Sequence, residues 1–304
     1  MDNKIYMDVS EIKAFKQCRR LWQFTSRNRW HTTPRVPSDA LALGTLFHEA
    51  LAQLYSGADF EDVMKLVHAE AGDAWPTLKA MLTGYLDILC KDLEDWKVLA
   101  TEHVFQFPTG ITRTVCGESV CIEQEVIVTG VIDLIVYEKS TNTVWCIEHK
   151  TCKSFRDDIF SVMDEQPRVY FEAVERYIET AKNLALIPQD ASNGGVVINE
   201  VKKLIRGFQY KRSAFVYRGE DRSNFLREFF GNLADCQCSV AVNEAEMPSP
   251  SYMGCRMCAY KDVCGVYGYT PVTKKELLEG FGLEFKEREV DHIHEKRLLG
   301  GVQK

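Results

Sequence analysis

The stretch that decides the fold is EVIVTGVIDLIVYEKSTNTVWCIEHKT, residues 125–151. Two apolar, β-branched runs, Val126 to Tyr137 and Thr143 to Ile147, flank the polar connector Glu138 to Asn142. Strand-forming runs separated by a short polar connector are typical of an antiparallel hairpin. The sequence therefore predicts a hairpin here, and the other elements are interpreted around it.

Each predicted strand of this hairpin carries an acidic residue where an apolar one is expected. Asp133 interrupts the first run, while Glu148 and Lys150 end the second. Because strand side chains alternate, Glu148 and Lys150 project from one face and His149 from the other. A carboxylate in apolar surroundings is costly unless it is paired or binds a metal. The hairpin is therefore interpreted as an active-site platform.

Length and composition favour one large globular enzyme. With 304 residues, 45% hydrophobic and 27% charged, the chain can form a single elaborated domain or a core with a small satellite. The sequence has neither a membrane-spanning stretch nor the apolar core of a signal peptide, which predicts a cytoplasmic protein. A net charge of -7 argues against coating nucleic acid by bulk electrostatics, but it is compatible with a basic channel or a metal-bridged phosphate.

Two helices are predicted near the N-terminus. Residues 10–24, SEIKAFKQCRRLWQF, predict a helix capped by Ser10, within a stretch from residue 13 to 35 that holds seven Lys or Arg and no acid. Its basic and aromatic residues favour a solvated helix face with a packed aromatic stripe over a nucleic-acid contact. Residues 40–55 predict a second helix, with Gly44 and His48 one turn apart. A glycine in mid-helix indicates close approach of another element, while a lone His is most often a core residue.

The middle of the chain alternates helices and strands. Residues 61–96 predict helical structure broken at Pro76, and a strand begins at Ala100, which gives a sheet of at least three strands. Residues 194–201 and 208–217 predict a second strand pair, followed by a helix over 222–236. Basic residues cluster in and around the connector of that pair: Lys202, Lys203, Arg206, Lys211 and Arg212.

A further helix is predicted over residues 164–186. Pro167 is expected at its first helical position, with Gln166 at or just before the cap. Gln166 and Tyr170 are four residues apart, so both can face the same neighbour. Contact with a substrate is one interpretation, and capping with core packing is the other.

Three cysteines near the C-terminus, Cys255, Cys258 and Cys264, form a C-x2-C-x5-C run. In a cytoplasmic chain, eleven cysteines are unlikely to form disulfides, so a tight cluster favours metal ligation. The fourth ligand is open between Cys18, Cys236, Cys238 and an unidentified residue. Zinc and an iron-sulfur cluster both accept four thiolates.

An ordered set of short motifs resembles the RecB-like branch of the PD-(D/E)XK nuclease superfamily. The motifs are Gly44-x3-His48, Gly130-x2-Asp133, Glu148-x-Lys150 and Gln166-x3-Tyr170. The cysteines resemble the iron-sulfur subgroup, which includes CRISPR-associated exonucleases, phage-encoded relatives and the nuclease domains of certain helicase-nucleases. The resemblance covers roughly Ser10 to Tyr267.

The resemblance implies an α/β fold: a restriction-endonuclease-like core with a central mixed β-sheet flanked by helices, and an iron-sulfur subdomain joining the N- and C-terminal regions. The implied nuclease domain covers residues 1–270, followed by a charged tail over 271–304. Within that domain, the nuclease core spans about 40–235, and the cluster subdomain spans about 10–35 and 245–270.

The resemblance also implies residue roles. His48, Asp133, Glu148 and the backbone carbonyl of His149 would bind Mg²⁺ or Mn²⁺. Lys150 would position or activate the attacking water, and two further residues, Gln166 and Tyr170, would organise the site and the DNA. A 4Fe-4S cluster would be held by Cys18, Cys255, Cys258 and Cys264.

The function implied is that of a metal-dependent deoxyribonuclease, most simply an exonuclease acting on single-stranded DNA or DNA ends, in recombination, degradation or CRISPR-type processing. Its partners would be DNA, with a homo-oligomer or proteins of recombination or CRISPR systems left open, and no membrane. The alternative is a non-catalytic DNA-end-binding or complex-forming protein, against which the intact His48, Asp133, Glu148 and Lys150 argue. An iron-sulfur oxidoreductase ranks last, because the sequence has no dinucleotide-binding glycine motif.

Overall fold

The structure is a computed structural model that describes residues 4–27, 30–32, 39–116, 121–241, 251–266 and 279–285. The chain divides into two compact units. The terminal unit comprises Met1–Val36, Gln106–Gly130 and Asn224–Lys304, and the central unit comprises Pro37–Phe105 and Val131–Ser223.

Strands and helices alternate along the described chain. The strands are β1 Lys4–Asp8, β2 Trp30–Thr32, β3 Trp96–Cys116, β4 Cys121–Glu138, β5 Thr143–Cys152, β6 Ser192–Lys202, β7 Tyr210–Phe215 and β8 Leu283–Phe285. The helices are α1 Val9–Gln17, α2 Arg19–Trp22, α3 Asp39–Tyr55, α4 Phe60–Ala71, α5 Trp75–Asp95, α6 Asp158–Met163, α7 Glu165–Asn183, α8 Gly219–Ala241, α9 Tyr252–Arg256 and α10 Lys261–Val266. Two short turns complete the set, a π-helical turn at Gln23–Arg27 and a 3-10 turn at Gly72–Ala74.

A mixed sheet forms the centre of the central unit. The second half of β4 pairs antiparallel with β5, from Leu134 opposite Ile147 to Glu138 opposite Thr143. This confirms the predicted hairpin, and Asn142 adopts a φ of 55° in its turn, a conformation that Asn tolerates better than most residues. β5 then pairs parallel with β6, and β6 pairs antiparallel with β7, which confirms the second predicted strand pair.

Helices cover both faces of this sheet. One face packs into a core with α3, α4 and α5, to which the sheet contributes Leu134, Val136, Ile147, Val197 and Val201. On β5, Glu148 projects from the face opposite Ile147, and α7 packs there against β5 and β6. The expected α/β architecture, a central mixed sheet flanked by helices, is confirmed.

The predicted helix around Gly44 and His48 is α3, which packs on β5. A Cβ atom at Gly44 would lie 3.0 Å from Thr151 Oγ1. The glycine therefore lets α3 approach the end of the strand that carries Glu148 and Lys150, as a mid-helix glycine suggested.

Two predicted helices differ in their boundaries. Asp8, and not Ser10, caps α1, because its Oδ1 accepts a hydrogen bond from the Glu11 N–H at 2.8 Å. The predicted helix over 10–24 is also interrupted at Cys18, whose extended backbone separates α1 from α2. Between α4 and α5 the break is the turn at residues 72–74, and Pro76 lies in the first turn of α5, where its missing N–H is not needed.

The terminal unit contains the first half of β4, which pairs parallel with β1 from Lys4 opposite Glu125 to Asp8 opposite Thr129. β2 pairs antiparallel with β8 in the same unit. A small apolar core of Phe24, Tyr260 and Val263 joins the segment after α1 to the α9–α10 region. Helices near both ends of the sequence therefore pack together within this unit.

Several predicted features lie outside the described residues. The expected charged tail over 271–304 is described only at residues 279–285. Arg35 and the side chain of Cys238 are also outside. None of the helices in the described segments is long and apolar enough to cross a membrane.

Candidate active site

The β4–β5 hairpin brings the predicted acidic residues together inside the central unit. Asp133 Oδ2 accepts a hydrogen bond of 2.8 Å from the backbone N–H of His149. The same oxygen lies 3.4 Å from Nδ1 of His48, which α3 carries to the hairpin. One acceptor thus joins strand β4, strand β5 and helix α3.

The Asp133–His48 pair changes the proton affinity of both groups. Burial alone would raise the pKa of Asp133, but the hydrogen bond and charge of His48 lower it below its ordinary value. Burial would likewise lower the pKa of His48, and the Asp133 carboxylate raises it instead. The pair therefore favours an ionised carboxylate beside the imidazole.

Glu148 is the most constrained carboxylate of the site, with 4% of its surface exposed. Its Oε1 accepts hydrogen bonds from Nζ of Lys150 and, at 3.1 Å, from Nε2 of Gln166. Its Oε2 is buried and has no hydrogen-bond partner. Burial and the neighbouring Asp133 charge raise the pKa of Glu148 to about 7, while Glu148 raises the pKa of Lys150 despite burial of the amine.

Gln166 and Tyr170 form a second layer of hydrogen bonds behind this pair. Gln166 Oε1 accepts from Lys150 Nζ at 3.3 Å, and Gln166 Nε2 donates to the Tyr170 hydroxyl at 2.8 Å. That hydroxyl donates to the backbone carbonyl of Val131 at 2.7 Å. The amide of Gln166 thereby fixes both Glu148 and Lys150.

The predicted start of the helix carrying Gln166 was wrong. Asp164 is the N-cap of α7, since its Oδ1 accepts from the Gln166 N–H at 3.0 Å, and Gln166 is the second helical residue. Pro167 is the third helical residue. A proline is tolerated at this position because the N–H groups of the first helical turn have no intrahelical acceptor. This placement puts Gln166 and Tyr170 on one side of α7.

The His149 side chain faces the opposite side of β5, as strand alternation predicts. It is 2% exposed and stacks on Tyr55, with ring centroids 5.9 Å apart, while the Tyr85 ring meets it edge-on at 6.1 Å. Burial lowers the pKa of His149 to about 3, so the ring is neutral. Its two ring nitrogens have no hydrogen-bond partners.

A buried polar network lies behind His149 in the structure, and it was not predicted from the sequence. Asp92 of α5 accepts two hydrogen bonds from the Arg212 guanidinium, both 2.8 Å, and a third from Tyr55 at 2.7 Å. Arg212 also donates to Asn199 at 2.7 Å. Asn199 in turn donates to the Tyr85 hydroxyl at 3.0 Å.

A signal for this network existed in the sequence. The buried stripe of α5 follows helical spacing through Leu78, Leu82, Tyr85 and Leu89 and then reaches Asp92. A carboxylate in register with an apolar stripe indicates a buried cationic partner.

The donor set of the hairpin suits a hard divalent cation. A buried carboxylate oxygen without a hydrogen-bond donor, as Glu148 Oε2 is, is costly, and a cation would satisfy it. In the described part of the chain, no three His, Cys, Asp or Glu side chains are gathered closely enough to hold a metal ion. Mg²⁺ commonly binds one or two carboxylates and completes its coordination with water and substrate phosphate, which matches this arrangement.

The predicted cluster cysteines lie in the terminal unit. A cavity of about 280 Å³ is lined by four cysteines: Cys18, Cys255, Cys258 and Cys264. Burial raises the pKa of Cys258, and the charges of Cys18, Cys264 and Cys255 raise it further. Cys236 is fully buried in α8 and does not line this cavity.

The aromatic side chains that the structure describes in the basic N-terminal stretch are core residues. Phe15, Trp22 and Phe24 are each 5% exposed or less. Buried rings cannot stack on bases, so the interpretation as a helix with a packed aromatic stripe is confirmed for these three.

Comparison with known proteins supplies a family. A sequence profile of the PD-(D/E)XK nuclease superfamily matches residues 7–265. The crystal structure of SSO0001 is similar, with 14% identity, a TM-score of 0.35 and 85% of each chain covered. A candidate exonuclease from Eubacterium rectale has 12% identity and a TM-score of 0.43, covering 91% of this chain and 94% of its own. The search of curated proteins gave no significant match.

Proposed function

The chain belongs to the PD-(D/E)XK nuclease superfamily, whose members generally use Mg²⁺ or Mn²⁺, and we propose that it is a metal-dependent DNA nuclease of the RecB-like branch. The observation that carries the proposal is the hairpin constellation. Asp133 and Glu148 sit on adjacent strands, with His48 beside Asp133 and Lys150 on one Glu148 oxygen, while the other Glu148 oxygen is buried and unpartnered.

In this proposal the cation is held by His48, Asp133, Glu148 and the backbone carbonyl of His149, and the three side chains would move closer together as it binds, since without a cation they are not gathered closely enough to hold one. A bound divalent cation would lower the pKa of water and neutralise the phosphate as charge develops. The hydrogen bond from the His149 N–H to Asp133 fixes that carboxylate against β5. The register between β4 and β5 is therefore supported both by the backbone pairing of the two strands and by this contact of the Asp133 side chain.

Lys150 is the residue that would orient the attacking water. Its amine is held in the site by Glu148 and Gln166, and 42% of its side chain is exposed. An ammonium group fixed there would also shield the developing negative charge. Gln166, anchored by Tyr170, is the positioning residue that hydrogen-bonds to both Glu148 and Lys150 and so orients the pair.

The nuclease is expected to act on linear DNA, from ends or on single strands. End-labelled single-stranded and duplex DNA, linear and circular, would be incubated with anaerobically purified protein in Mg²⁺, Mn²⁺ or EDTA. Degradation in metal but not in EDTA, with survival of circles, is the expected result. The Lys150→Ala variant should be slower by about 100-fold or more. Lys91→Ala, an exposed lysine on α5, serves as the matched control.

Two outcomes would contradict the proposal. If the wild-type protein binds DNA ends but digests no substrate in either metal, the chain is the non-catalytic end-binding protein. If Lys150→Ala digests DNA as fast as wild type, Lys150 does not have the proposed role.

We further propose that the cavity of the terminal unit holds a 4Fe-4S cluster with a structural role. Four thiols line one cavity, whose volume of about 280 Å³ exceeds what a single ion needs. Ligation by Cys18 and three C-terminal cysteines would close a long loop and couple folding to metal binding. Arg20 already donates to the Cys264 carbonyl at 3.2 Å, which holds the two segments together.

Cluster ligation predicts a cysteine-specific loss of iron. Anaerobically purified wild type should contain about four iron and four sulfide per chain. Cys18→Ala should lose most of both, whereas Cys236→Ala and the exposed control Cys90→Ala should retain them. Zinc without sulfide, or full iron in Cys18→Ala, would refute the assignment.

A further inference from the structure

Helix α6 presents an apolar surface next to the candidate active site. Ile159 is 57% exposed, and Phe160 and Met163 are each 68% exposed. These three residues are called the α6 patch. An apolar surface of adjacent large side chains on a soluble chain often marks an interaction site.

Helix α6 is held by contacts at both of its ends. Lys211 pairs with Asp158 at 2.6 Å, and the Ser213 hydroxyl donates to the same carboxylate at 2.8 Å. At the other end, Arg168 Nε donates to the Val162 carbonyl at 3.0 Å. The exposed side chains are thus displayed on a helix fixed to β7 and α7.

The patch is connected to the site by a short chain of contacts. It ends at Met163, directly before Asp164, the cap whose Oδ1 accepts from Gln166. Arg156, before α6, donates from Nη1 to the other oxygen of Asp164 at 3.2 Å. Gln166 then holds Glu148 and Lys150. Helix α6 is therefore linked to the acidic pair through Asp164 and Gln166.

The segments around α6 are strongly basic in an acidic protein. Residues 150–156, KTCKSFR, and 201–212, VKKLIRGFQYKR, contain eight Lys or Arg and no acid. Lys203 N–H donates to the Cys152 carbonyl at 2.9 Å, which brings the two segments together. Burial and the charge of Lys153 lower the pKa of Lys203.

Some of these cations serve internal pairs. Carboxylates neighbour Lys150, Arg156, Lys211 and Arg212, namely Glu148, Asp164, Asp158 and Asp92. Glu200 and Asp157 border the region as well, and Glu200 accepts from the Arg156 N–H at 2.9 Å. Lys153 and Arg206, by contrast, are exposed. The outward-facing charge of the two segments is positive.

We infer that the α6 patch and the two basic segments bind an unpaired nucleic-acid strand, with bases on the patch and phosphates on Lys153 and Arg206. The inference rests on the proposed function and specifies which part of the substrate meets the chain beside the site. Aromatic and apolar side chains next to cations suit a single strand, since every base offers a face for stacking and every linkage a charge. A purely apolar partner would make no contact with the charges of the exposed Lys153 and Arg206.

The contributions of bases and phosphates to binding can be measured separately with two oligonucleotides of about 20 nucleotides. One consists of thymidines, and the other has the same backbone with abasic sugars. Fluorescence anisotropy would be measured in EDTA, where no hydrolysis occurs. Phe160→Ala should weaken thymidine binding by about 5-fold or more and leave abasic binding unchanged. Lys153→Ala/Arg206→Ala should weaken both equally and reduce the salt slope by about 1.4.

Two matched controls keep this test specific. Leu184→Ala removes a side chain of similar exposure, 65%, at the end of α7, and Lys91→Ala removes an exposed cation of α5. Neither should alter binding.

The inference fails if Phe160→Ala binds both oligonucleotides like these controls. It also fails if Phe160→Ala changes only the sedimentation of the protein, because the patch would then be an interface between copies. A wild-type chain without nuclease activity would refute the proposed function, while binding in EDTA would still decide this inference.

Discussion

Glu148→Gln is expected to lower DNA hydrolysis by at least about 100-fold while leaving the metal-free protein as stable as wild type or more stable. Glutamine keeps the shape of the side chain but removes the charge that a cation needs. The wild-type carboxylate is fully buried beside Asp133, and both facts raise its pKa to about 7. Above that pH, the folded protein holds a charge that the unfolded chain would hold more easily.

The pH dependence of stability follows from the sign of this shift. Because the pKa of Glu148 is raised from its ordinary 4.5 to about 7, the folded state binds the proton more tightly than the unfolded state. The resulting contribution to stability is present below pH 4.5 and is lost as the pH rises to about 7. Glutamine has no such loss, so the Tm of Glu148→Gln should match wild type near pH 4.5 and exceed it at pH 8.

Magnesium should reverse this order for the wild-type protein. A ligand that binds only the folded state raises Tm by mass action, and this increase requires the carboxylate. Calorimetry at pH 8, with and without Mg²⁺, would be run on wild type, Glu148→Gln and the exposed control Glu94→Gln. A Glu148→Gln protein that is destabilised without metal, or that still gains stability from Mg²⁺, would show that Glu148 has a structural role instead.

Local sequence patterns were sufficient to predict the hairpin and the placement of its acidic residues. Asp133 and Glu148 each interrupt an apolar strand, and alternation alone places Lys150 beside Glu148 and His149 on the opposite face. The register of the hairpin then determines which residues meet: with Leu134 opposite Ile147, the Asp133 carboxylate reaches the His149 N–H. These contacts join residues that are close in sequence, so the pattern contains both partners.

Features that depend on distant partners were harder to predict. Asp92 and Arg212 are 120 residues apart, and only the fold reveals that each is the other's partner. The same limit applies to Cys18, whose distance from Cys255 is set by tertiary packing. The start of α7 was placed wrongly for a different reason: proline is tolerated throughout the first turn, so Asp164, as the stronger cap, sets the boundary.

The Asp92–Arg212 pair should contribute strongly to the stability of the central unit. Arg212→Met is expected to lower the free energy of unfolding by about 3–5 kcal/mol, because it leaves the buried Asp92 carboxylate without its cation. Tm should fall by roughly 6–10 °C. The Tyr55 hydroxyl would still donate to Asp92, but one neutral donor cannot replace a bidentate guanidinium.

A double variant distinguishes the loss of the charge pair from the loss of packing by the Arg212 side chain. Asp92→Asn/Arg212→Met removes both charges, so it should be more stable than Arg212→Met alone, although both lose the same guanidinium contacts. The exposed pair Lys65–Asp62 supplies the control, and Lys65→Met should leave Tm unchanged. If the double variant is as unstable as the single, the loss comes from packing of Arg212 over the Trp96 ring, whose centroid is 4.9 Å away. If stability is instead recovered in the double variant, the loss in Arg212→Met comes from the uncompensated charge of Asp92, directly behind the two tyrosines that pack on His149.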